Sequence, residues 1–424
     1  MMKVRENEVA KNAPLLLAAS VGIGCSAMAL PFYAIGALTK PLTEAYGWSR
    51  ADVQTAILLS IGAGALASPL VGRAVDRWGA RVVALFGLTG VSVSFLLAAS
   101  AAGSLPIFYL AFILMATLGS GSNPVSWTRG ITLSFDRQLG LALGIALTGT
   151  GLCAILAPQL TTWLIGNYGV TASLVGLATV PVALALPLAL AFFRMPINKS
   201  NVQGVGPSSP EVPSSLTGFT VKQALKGYRF WLLFAAITCI YLAQAGIITN
   251  LIPSLSDRGL SAQQSANLQS VLGVSIILGR LVVGLVIDRL WAPGVAAFVT
   301  MLPVLACVIL PGDYSYALVT LAVILIGVAT GAELDFLSFL TARYFGLRHY
   351  ATIFAVTYAA MALAAGFAPF AFAAAHDHFG SYDIAFFAAA MLYTLGAVLL
   401  LFMGRYPQVF EHKPRISSGD GAAK

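Results

Sequence analysis

Charged residues are scarce in this sequence. Of its 424 residues only 9% are Asp, Glu, Lys or Arg, whereas 58% are hydrophobic. Soluble domains carry about 25% charged residues, so this chain has too few charges to cover a surface that faces water. A chain of this composition is expected to lie in lipid, where every backbone N–H and C=O must be paired within a helix or a closed barrel.

Sequence motifs of pumps, hydrolases and metal sites are also missing. No Walker loop, HExxH or GxSxG occurs, which argues against an ATP-driven pump and the common hydrolases. No CxxC pair occurs, and the cysteines lie inside apolar runs, as expected for small core residues: Cys25, Cys153, Cys239 and Cys307. His376 and His378 flank Asp377, but this group is not predicted to bind a metal. We therefore predict no enzymatic activity, no metal and no cofactor.

The apolar runs are about twenty residues long, which is the length that a helix needs to cross a hydrocarbon core of roughly 30 Å. Barrel strands would instead give alternating segments of about ten residues. The sequence therefore predicts an all-α membrane protein with twelve transmembrane helices. The predicted spans are 14–37, 52–71, 82–101, 105–128, 139–164, 172–193, 229–252, 265–287, 294–311, 315–338, 351–375 and 383–404.

A segment rich in Pro, Gly and Ser separates the sixth predicted span from the seventh. It has almost no apolar periodicity, which is typical of a flexible linker. We predict an N-terminal bundle of six helices at 1–194 and a C-terminal bundle of six at 229–406. A cytoplasmic linker at 195–228 connects them, and 407–424 forms a cytoplasmic tail.

The distribution of Lys and Arg predicts the orientation. With both termini in the cytoplasm, most cations lie on that side, and only Lys40, Arg50 and Arg258 lie outside. The net charge of +8 is thereby explained as a topology signal and does not indicate nucleic-acid binding. The predicted location is a plasma membrane, specifically a bacterial inner membrane.

The segment GRAVDRWGAR follows the second span and fits the pattern GxxxDRxGxR at every fixed position: Gly72, Asp76, Arg77, Gly79 and Arg81. A weaker copy follows the eighth span, at Gly284, Asp288 and Arg289. This signature resembles that of the major facilitator superfamily, in which the loop acts as a conformational latch. That resemblance implies two parallel six-helix repeats that rock against each other. The alternative is an ordinary positively charged loop.

Within that superfamily the chain looks most like the branch of monocarboxylate and oxalate/formate transporters. The stretches that resemble this branch are YGWSRADVQTA, FDRQLGLALGIALTGTG, FTVKQALKGYRFWLL and GAELDFLSFLTARYFGLRHYATIF. The sequence departs from the branch at Ile276, where those carriers usually place an Asp, and near Tyr33, where they place a Lys. A dicarboxylate held by two cations is therefore not expected.

Arg280 lies inside the eighth predicted span. A charge at the centre of a membrane helix costs at least about 2.5–3.5 kcal/mol, so it normally faces a polar cavity or a partner. In the resembling branch an arginine at this place binds the substrate carboxylate, and its planar fork suits such an anion. The alternative is a structural ion pair.

Glu333 and Asp335 lie in the tenth predicted span. Their i, i+2 spacing places the two carboxyl groups on different faces of the helix. We predict proton coupling at this pair, with Glu333 as the group that takes up the proton. Asp335 is expected to pair with an arginine on the cytoplasmic side.

Four further residues are candidates for substrate binding. Arg129 in the fourth span is interpreted as a second carboxylate contact or coupling residue, or as an arginine that snorkels to the interface. Tyr33, Asn123 and Trp127 are candidates for lining the cavity, although Tyr and Trp often anchor a protein at the membrane interface.

These features predict a secondary transporter of a small organic anion, a monocarboxylate in the first place, that works by proton symport or by exchange for a counter-anion. We expect a monomer surrounded by membrane lipid. The nearest alternative is a proton-coupled exporter of drug-like molecules with the same fold. A non-transporting membrane sensor is a further alternative, because a fold alone does not determine function.

Overall fold

The computed structural model describes residues 8–132, 134–135, 139–193, 218–287, 289–312, 315–346 and 349–406. Over these ranges the chain is helical, and its β-structure is a single bridge between Gly218 and Gly346. This bridge, with the hydrogen bond from Phe219 N to Phe345 O of 2.9 Å, attaches the end of the predicted linker to the second half of the chain.

The described residues of the first half form nine α-helices. They are α1 Glu8–Lys11, α2 Ala13–Gly24, α3 Leu30–Tyr46, α4 Arg50–Trp78, α5 Ala80–Ala99, α6 Leu105–Leu118, α7 Pro124–Thr132, α8 Leu139–Val180 and α9 Leu186–Phe192. A 3-10 turn, Gly119–Ser122, separates α6 from α7, and a π-turn, Pro181–Ala185, separates α8 from α9.

In the second half, the part of the chain that the structure describes forms a short helix and six long ones. They are α10 Val221–Lys226, α11 Tyr228–Asp257, α12 Ala262–Ile287, α13 Ala292–Ile309, α14 Tyr316–Phe345, α15 Tyr350–Phe379 and α16 Asp383–Leu401. The short helix α10 lies within the last part of the predicted linker.

In the part of the chain that the structure describes, ten helical segments are long and apolar enough to cross a membrane. Two features explain the difference from the twelve predicted spans. The first span is broken between α2 and α3, and the segment Ala142–Phe192 counts as one although Gly169 interrupts it with φ +83°. The all-α membrane fold is confirmed, whereas the count of twelve stays a prediction.

Residues at the end of the 3-10 turn in the fourth span form hydrogen bonds with the backbone at the break in the first span. Ser122 Oγ accepts a hydrogen bond from Ala27 N, and Asn123 Oδ1 accepts one from Met28 N, each of 3.1 Å. These N–H groups have left the helical hydrogen-bond pattern, and in lipid an unpaired N–H costs several kcal/mol. Ser122 and Asn123 therefore stabilise the break that precedes α3.

The hydrophobic core is divided between two bundles. One core cluster is built from residues between 224 and 403, and two others are built from residues between 15 and 193. Phe32 and Tyr33 on α3 are partly buried and pack against cores of both bundles. Helix α3 therefore lies at the interface between the bundles.

We call the end of the molecule at which α3 ends and α4 begins the far end, and the end at which residues 193 and 218 lie the linker end. In the far half the bundles approach closely: a Cβ at Gly36 would lie 2.8 Å from Thr249 O, and Ser270 Oγ donates to Ile155 O at 2.8 Å. Gln159 Nε2 donates across the same interface to Asn267 Oδ1 at 2.7 Å. The bundles are therefore closed against each other at the far end.

The linker-end half of α4 has a different environment. Leu66 and Leu70 are 82% and 62% exposed, and a Cβ at Gly72 would meet no described atom within 4 Å. The inter-bundle contact of α4 with Gly366 on α15 is made by Ile61, closer to the middle of the helix. The described conformation is therefore closed at the far end and loosely packed on the linker side.

Candidate functional site

Side chains from both bundles meet at the interface between them. Tyr33 on α3 lies within electrostatic range of Arg280 on α12 and Glu333 on α14. Tyr241 on α11 lies within range of the same two charged groups, of Tyr33 and of Tyr358 on α15. We call these residues, Tyr33, Tyr241, Arg280, Glu333 and Tyr358, the central cluster. The structure thus brings together three of the residues predicted for the site and adds two tyrosines that the sequence analysis did not identify.

Arg280 is half-buried, and a backbone contact fixes its guanidinium. Its Nε donates to Gly331 O at 3.2 Å. Helices α12 and α14 approach closely here, because a Cβ at Gly331 would lie 2.8 Å from Arg280 N and 2.1 Å from Ile276 O. Among the described residues, Nη1 and Nη2 of Arg280 have no hydrogen-bond partner. The fork that could bind a carboxylate is therefore held in place and available.

Asp335 lies within electrostatic range of Arg280 without forming an ion pair with it within 4 Å. Its side chain is half-buried. The predicted partner of this carboxylate was an arginine nearer to the linker end. In the structure its carboxylate interacts with the central arginine itself, so it contributes to the charge balance of the cluster.

Glu333 is the more buried of the two acidic residues, with 2% of its surface exposed. Within the described part of the chain, neither carboxyl oxygen has a hydrogen-bond partner of normal geometry, although the Tyr241 hydroxyl lies near. The hydroxyl of Tyr393, on α16, is also close and also lacks a described partner. Burying an ionised carboxylate without a partner costs several kcal/mol, so this environment suits the neutral acid.

Two of the predicted lining residues have structural contacts within the first bundle, and only Trp127 is fully buried there. Trp127 has 0% of its surface exposed, and its Nε1 donates to Ser122 O at 2.7 Å while its ring packs on Phe193. It therefore lines no solvent-filled space in this conformation. Asn123 accepts from Met28 N and stabilises the break before α3. Arg129 is exposed in the last turn of α7.

The signature segment forms the turn between α4 and α5. Gly79 joins the two helices with φ +85°, a conformation that favours glycine. Arg81 Nη2 donates to Leu190 O at 2.7 Å, and the Arg77 guanidinium lies 6.0 Å from the Trp78 ring. These contacts place the segment at the linker end.

The remaining signature residues are only partly described. Gly72 and Gly284 lie in α4 and α12, and Arg289 is exposed just after α12. The Asp76 side chain and the whole of Asp288 lie outside the described residues. The role of both copies as a conformational latch stays a prediction.

At the far end an ionic network crosses between the bundles. Arg50 on α4 donates to both carboxylate oxygens of Asp257 on α11, at 2.5 and 2.7 Å. His376 Nε2 lies 3.3 Å and Lys40 Nζ 3.9 Å from the same carboxylate. Asp377 accepts from Ala51 N at 2.8 Å. We call Lys40, Arg50, Asp257, His376, Asp377 and Tyr382 the far-end cluster.

Tyr382 connects the far-end cluster to α11. Its hydroxyl accepts from Arg50 Nη1 at 3.2 Å and donates to Asn250 Oδ1 at 3.3 Å. Burial raises the pKa of the Tyr382 hydroxyl above its ordinary value, although Arg50 acts in the opposite direction. The hydroxyl therefore stays protonated at neutral pH and keeps its role as a donor.

Sequence analysis did not identify the far-end cluster, although one signal was present. Lys40 and Arg50 are among the few cations that the predicted topology places outside. A cation that violates the charge bias of a membrane protein calls for a local partner. Asp257 follows the seventh predicted span on the same predicted outer side, so it was available as that partner.

Two helical bundles with a polar cluster between them are the architecture of a multi-pass membrane protein. The family is shown by the sequence. Residues 16–369 match the model of the Major Facilitator Superfamily, and the chain belongs to this superfamily.

Similar proteins include carriers of carboxylates. The chain is 28% identical to human monocarboxylate transporter 11 over 268 residues, which cover 61% of this chain and 53% of that protein. The chain thus spans about half the length of this relative. It is 25% identical to the gallate transporter of Pseudomonas putida over 286 residues, covering 60% of this chain and 61% of the relative.

A solved structure of a nucleoside transporter has the same fold. It superposes with a TM-score of 0.70 at 14% identity, covering 93% of this chain and 100% of that one. At this identity the likeness shows the fold alone.

Proposed function

We propose that the protein is a secondary transporter of a small organic anion, a monocarboxylate, that couples transport to a proton or exchanges one anion for another. The observation that carries the proposal is the Arg280 guanidinium, which is fixed through Nε while its two terminal nitrogens lack a described partner. Such a fork matches a carboxylate bidentately. The relatives named for monocarboxylates and for gallate, itself a monocarboxylate, support the same class of substrate.

The mechanism requires two conformations that expose Arg280 to opposite sides. In the described conformation the far-end cluster joins the bundles, so the substrate reaches Arg280 from the linker end. The predicted orientation makes the linker end cytoplasmic and this conformation inward-facing. Rocking of the bundles would break the far-end contacts and close the linker end, where the segment from Gly72 to Arg81 would act as the latch.

Glu333 is proposed to carry the coupling proton. Its carboxyl group is buried without a described hydrogen-bond partner, which favours the neutral form while the surroundings remain closed. Anion binding at Arg280 would compensate the positive charge near Tyr33 and Tyr241. Proton and anion would then cross the membrane as a nearly neutral pair.

Uptake by reconstituted vesicles tests the proposed class of substrate. Purified protein would be exposed to radiolabelled benzoate, lactate, succinate and a cationic dye, with and without a pH gradient. We expect accumulation of a monocarboxylate above protein-free vesicles. Transport of the cationic dye with no carboxylate uptake would contradict the proposal and favour the drug exporter.

Glu333→Gln tests the coupling. Glutamine resembles the protonated acid in size and polarity but cannot release a proton, so accumulation driven by a pH gradient should be lost while counterflow exchange persists. Asp335→Asn is the matched comparison two residues away, and it should retain some gradient-driven accumulation. An unchanged pH-driven gradient in Glu333→Gln vesicles would remove Glu333 from the mechanism.

A further inference from the structure

We propose that the transported anion is an aryl carboxylate and that the aromatic rings of the central cluster select it. This inference rests on the proposed function, because it assumes that Arg280 binds the carboxylate. It adds that the rest of the substrate is an aromatic ring rather than a short aliphatic chain.

Two tyrosines, one from each bundle, lie near Arg280. Tyr33 from α3 and Tyr241 from α11 both lie within electrostatic range of its guanidinium. Tyr358 from α15 lies within range of Tyr241. A ligand held at Arg280 therefore meets aromatic rings from both bundles.

Neighbouring rings extend this aromatic surface. Phe354 stacks on Tyr358 with ring centroids 5.9 Å apart and an interplanar angle of 20°. Phe32 meets Tyr33 edge to face at 5.4 Å. All of these rings are half-buried, so each packs against a core on one side and keeps part of its surface accessible.

The chemistry of the cluster fits an aryl carboxylate better than a polar aliphatic acid. Aromatic pairs prefer offset-stacked or edge-to-face arrangements with centroids 4.5–7 Å apart, which a benzoate ring can adopt against several neighbours at once. A hydroxylated aliphatic acid would need many hydrogen-bond partners instead. Apart from Arg280 and the acidic pair, the cluster offers only phenol hydroxyls.

Competition binding with the purified protein in detergent at pH 7.5 tests this inference. Radiolabelled benzoate is the probe, and the competitors are unlabelled benzoate, cyclohexanecarboxylate and lactate. Cyclohexanecarboxylate is the matched control ligand, because it carries the same carboxylate on a ring of similar size that lacks a π-face. We expect benzoate to compete about two- to tenfold better than cyclohexanecarboxylate, and lactate to compete more weakly than either.

Variants of Tyr358 show whether the ring of the protein causes the preference. Tyr358→Phe keeps the ring and should keep the ratio of benzoate to cyclohexanecarboxylate affinity. Tyr358→Leu removes one of the rings and should lower the ratio measurably, although the remaining rings keep it above one. Phe298→Leu is the control, because Phe298 on α13 is 68% exposed and lies outside the cluster. If Tyr358→Leu does not fold, the ratio of benzoate to cyclohexanecarboxylate affinity in the unmodified protein decides whether the aryl inference stands.

The outcomes separate this inference from the proposed function. Equal affinities for benzoate and cyclohexanecarboxylate in the unmodified protein would overturn the aryl inference. So would Arg280-dependent binding of radiolabelled lactate that benzoate does not displace, and in that case the proposed carboxylate transport would stand. If neither radiolabelled benzoate nor lactate binds, the proposed function itself fails.

Discussion

Removal of Arg50 is expected to open the far end of the transporter. The Arg50 side chain is 11% exposed, and its fork donates two hydrogen bonds to Asp257 across the bundle interface. Loss of one hydrogen bond to a charged group costs about 1.5–3 kcal/mol, and water can replace the second one because the Asp257 side chain is 28% exposed. Arg50→Ala should therefore shift the equilibrium towards the far-end-open state by about ten- to a hundredfold.

A cysteine at Ile252 reports the opening. Ile252 is 5% exposed and lies against Gly36 on α3, so the closed far end covers it. In a background without the four native cysteines, Ile252→Cys would be labelled with a membrane-impermeant maleimide applied from the far side. The labelling rate should rise with Arg50→Ala. The charge exchange Arg50→Asp with Asp257→Arg should restore part of the protection.

Lys40→Ala is the control for a simple loss of charge. Lys40 lies 3.9 Å from the same carboxylate, but its side chain is 40% exposed. An exposed ion pair contributes about 0–1 kcal/mol, so labelling should change less than about fivefold. An unchanged rate with Arg50→Ala, or equal effects of Arg50→Ala and Lys40→Ala, would refute the assignment of the far-end cluster as a gate.

Further predictions concern packing, the helix break and the orientation. Gly331→Ala should lower the thermal unfolding temperature and reduce uptake, because the added Cβ would lie 2.1 Å from Ile276 O; an unchanged unfolding temperature would contradict the close approach of α12 and α14. Asn123→Leu should cost about 1–3 kcal/mol of stability, because Met28 N loses its acceptor; denaturation in detergent measures this, and a stability equal to that of the unmodified protein would disprove the role. Cysteines introduced in the 195–227 linker should be labelled only from the cytoplasmic side, and labelling from the opposite side would reverse the predicted orientation.

The fold was predictable because lipid imposes simple rules on a sequence. Long apolar runs and scarce charges indicate helices across a membrane, and these were sufficient for the class of fold. The positions of breaks were less predictable. Gly169 and the segment between α2 and α3 depend on backbone conformation and on partners such as Asn123, which lies about a hundred residues away in the sequence.

The candidate site was predictable where a charge had to lie inside the membrane. Arg280 and Glu333 were identified in this way, and the structure places both near Tyr33. Burial could not be predicted with the same certainty. The i, i+2 spacing separates the faces of Glu333 and Asp335, but only the packing of α11 and α16 makes Glu333 the more buried. Trp127 was a candidate because of its residue type and its place in the fourth span. Its burial depends on the position of Phe193, which the sequence does not reveal.

The central claim is that Arg280 binds the carboxylate of the substrate. The most direct measurement compares the affinity of the unmodified protein for a monocarboxylate that it transports with that of Arg280→Lys and Arg280→Ala. Arg405→Lys, at an exposed position just after α16, serves as the control for a conservative change at an arginine outside the cluster and outside the signature segment.

Lysine keeps the charge but loses the planar fork, and alanine loses both. We predict that affinity falls about ten- to a hundredfold in Arg280→Lys and further in Arg280→Ala, while Arg405→Lys binds as the unmodified protein does and all variants remain folded. An unchanged affinity in folded Arg280→Ala would contradict the account, because Arg280 would then be a structural residue and the anion would bind elsewhere.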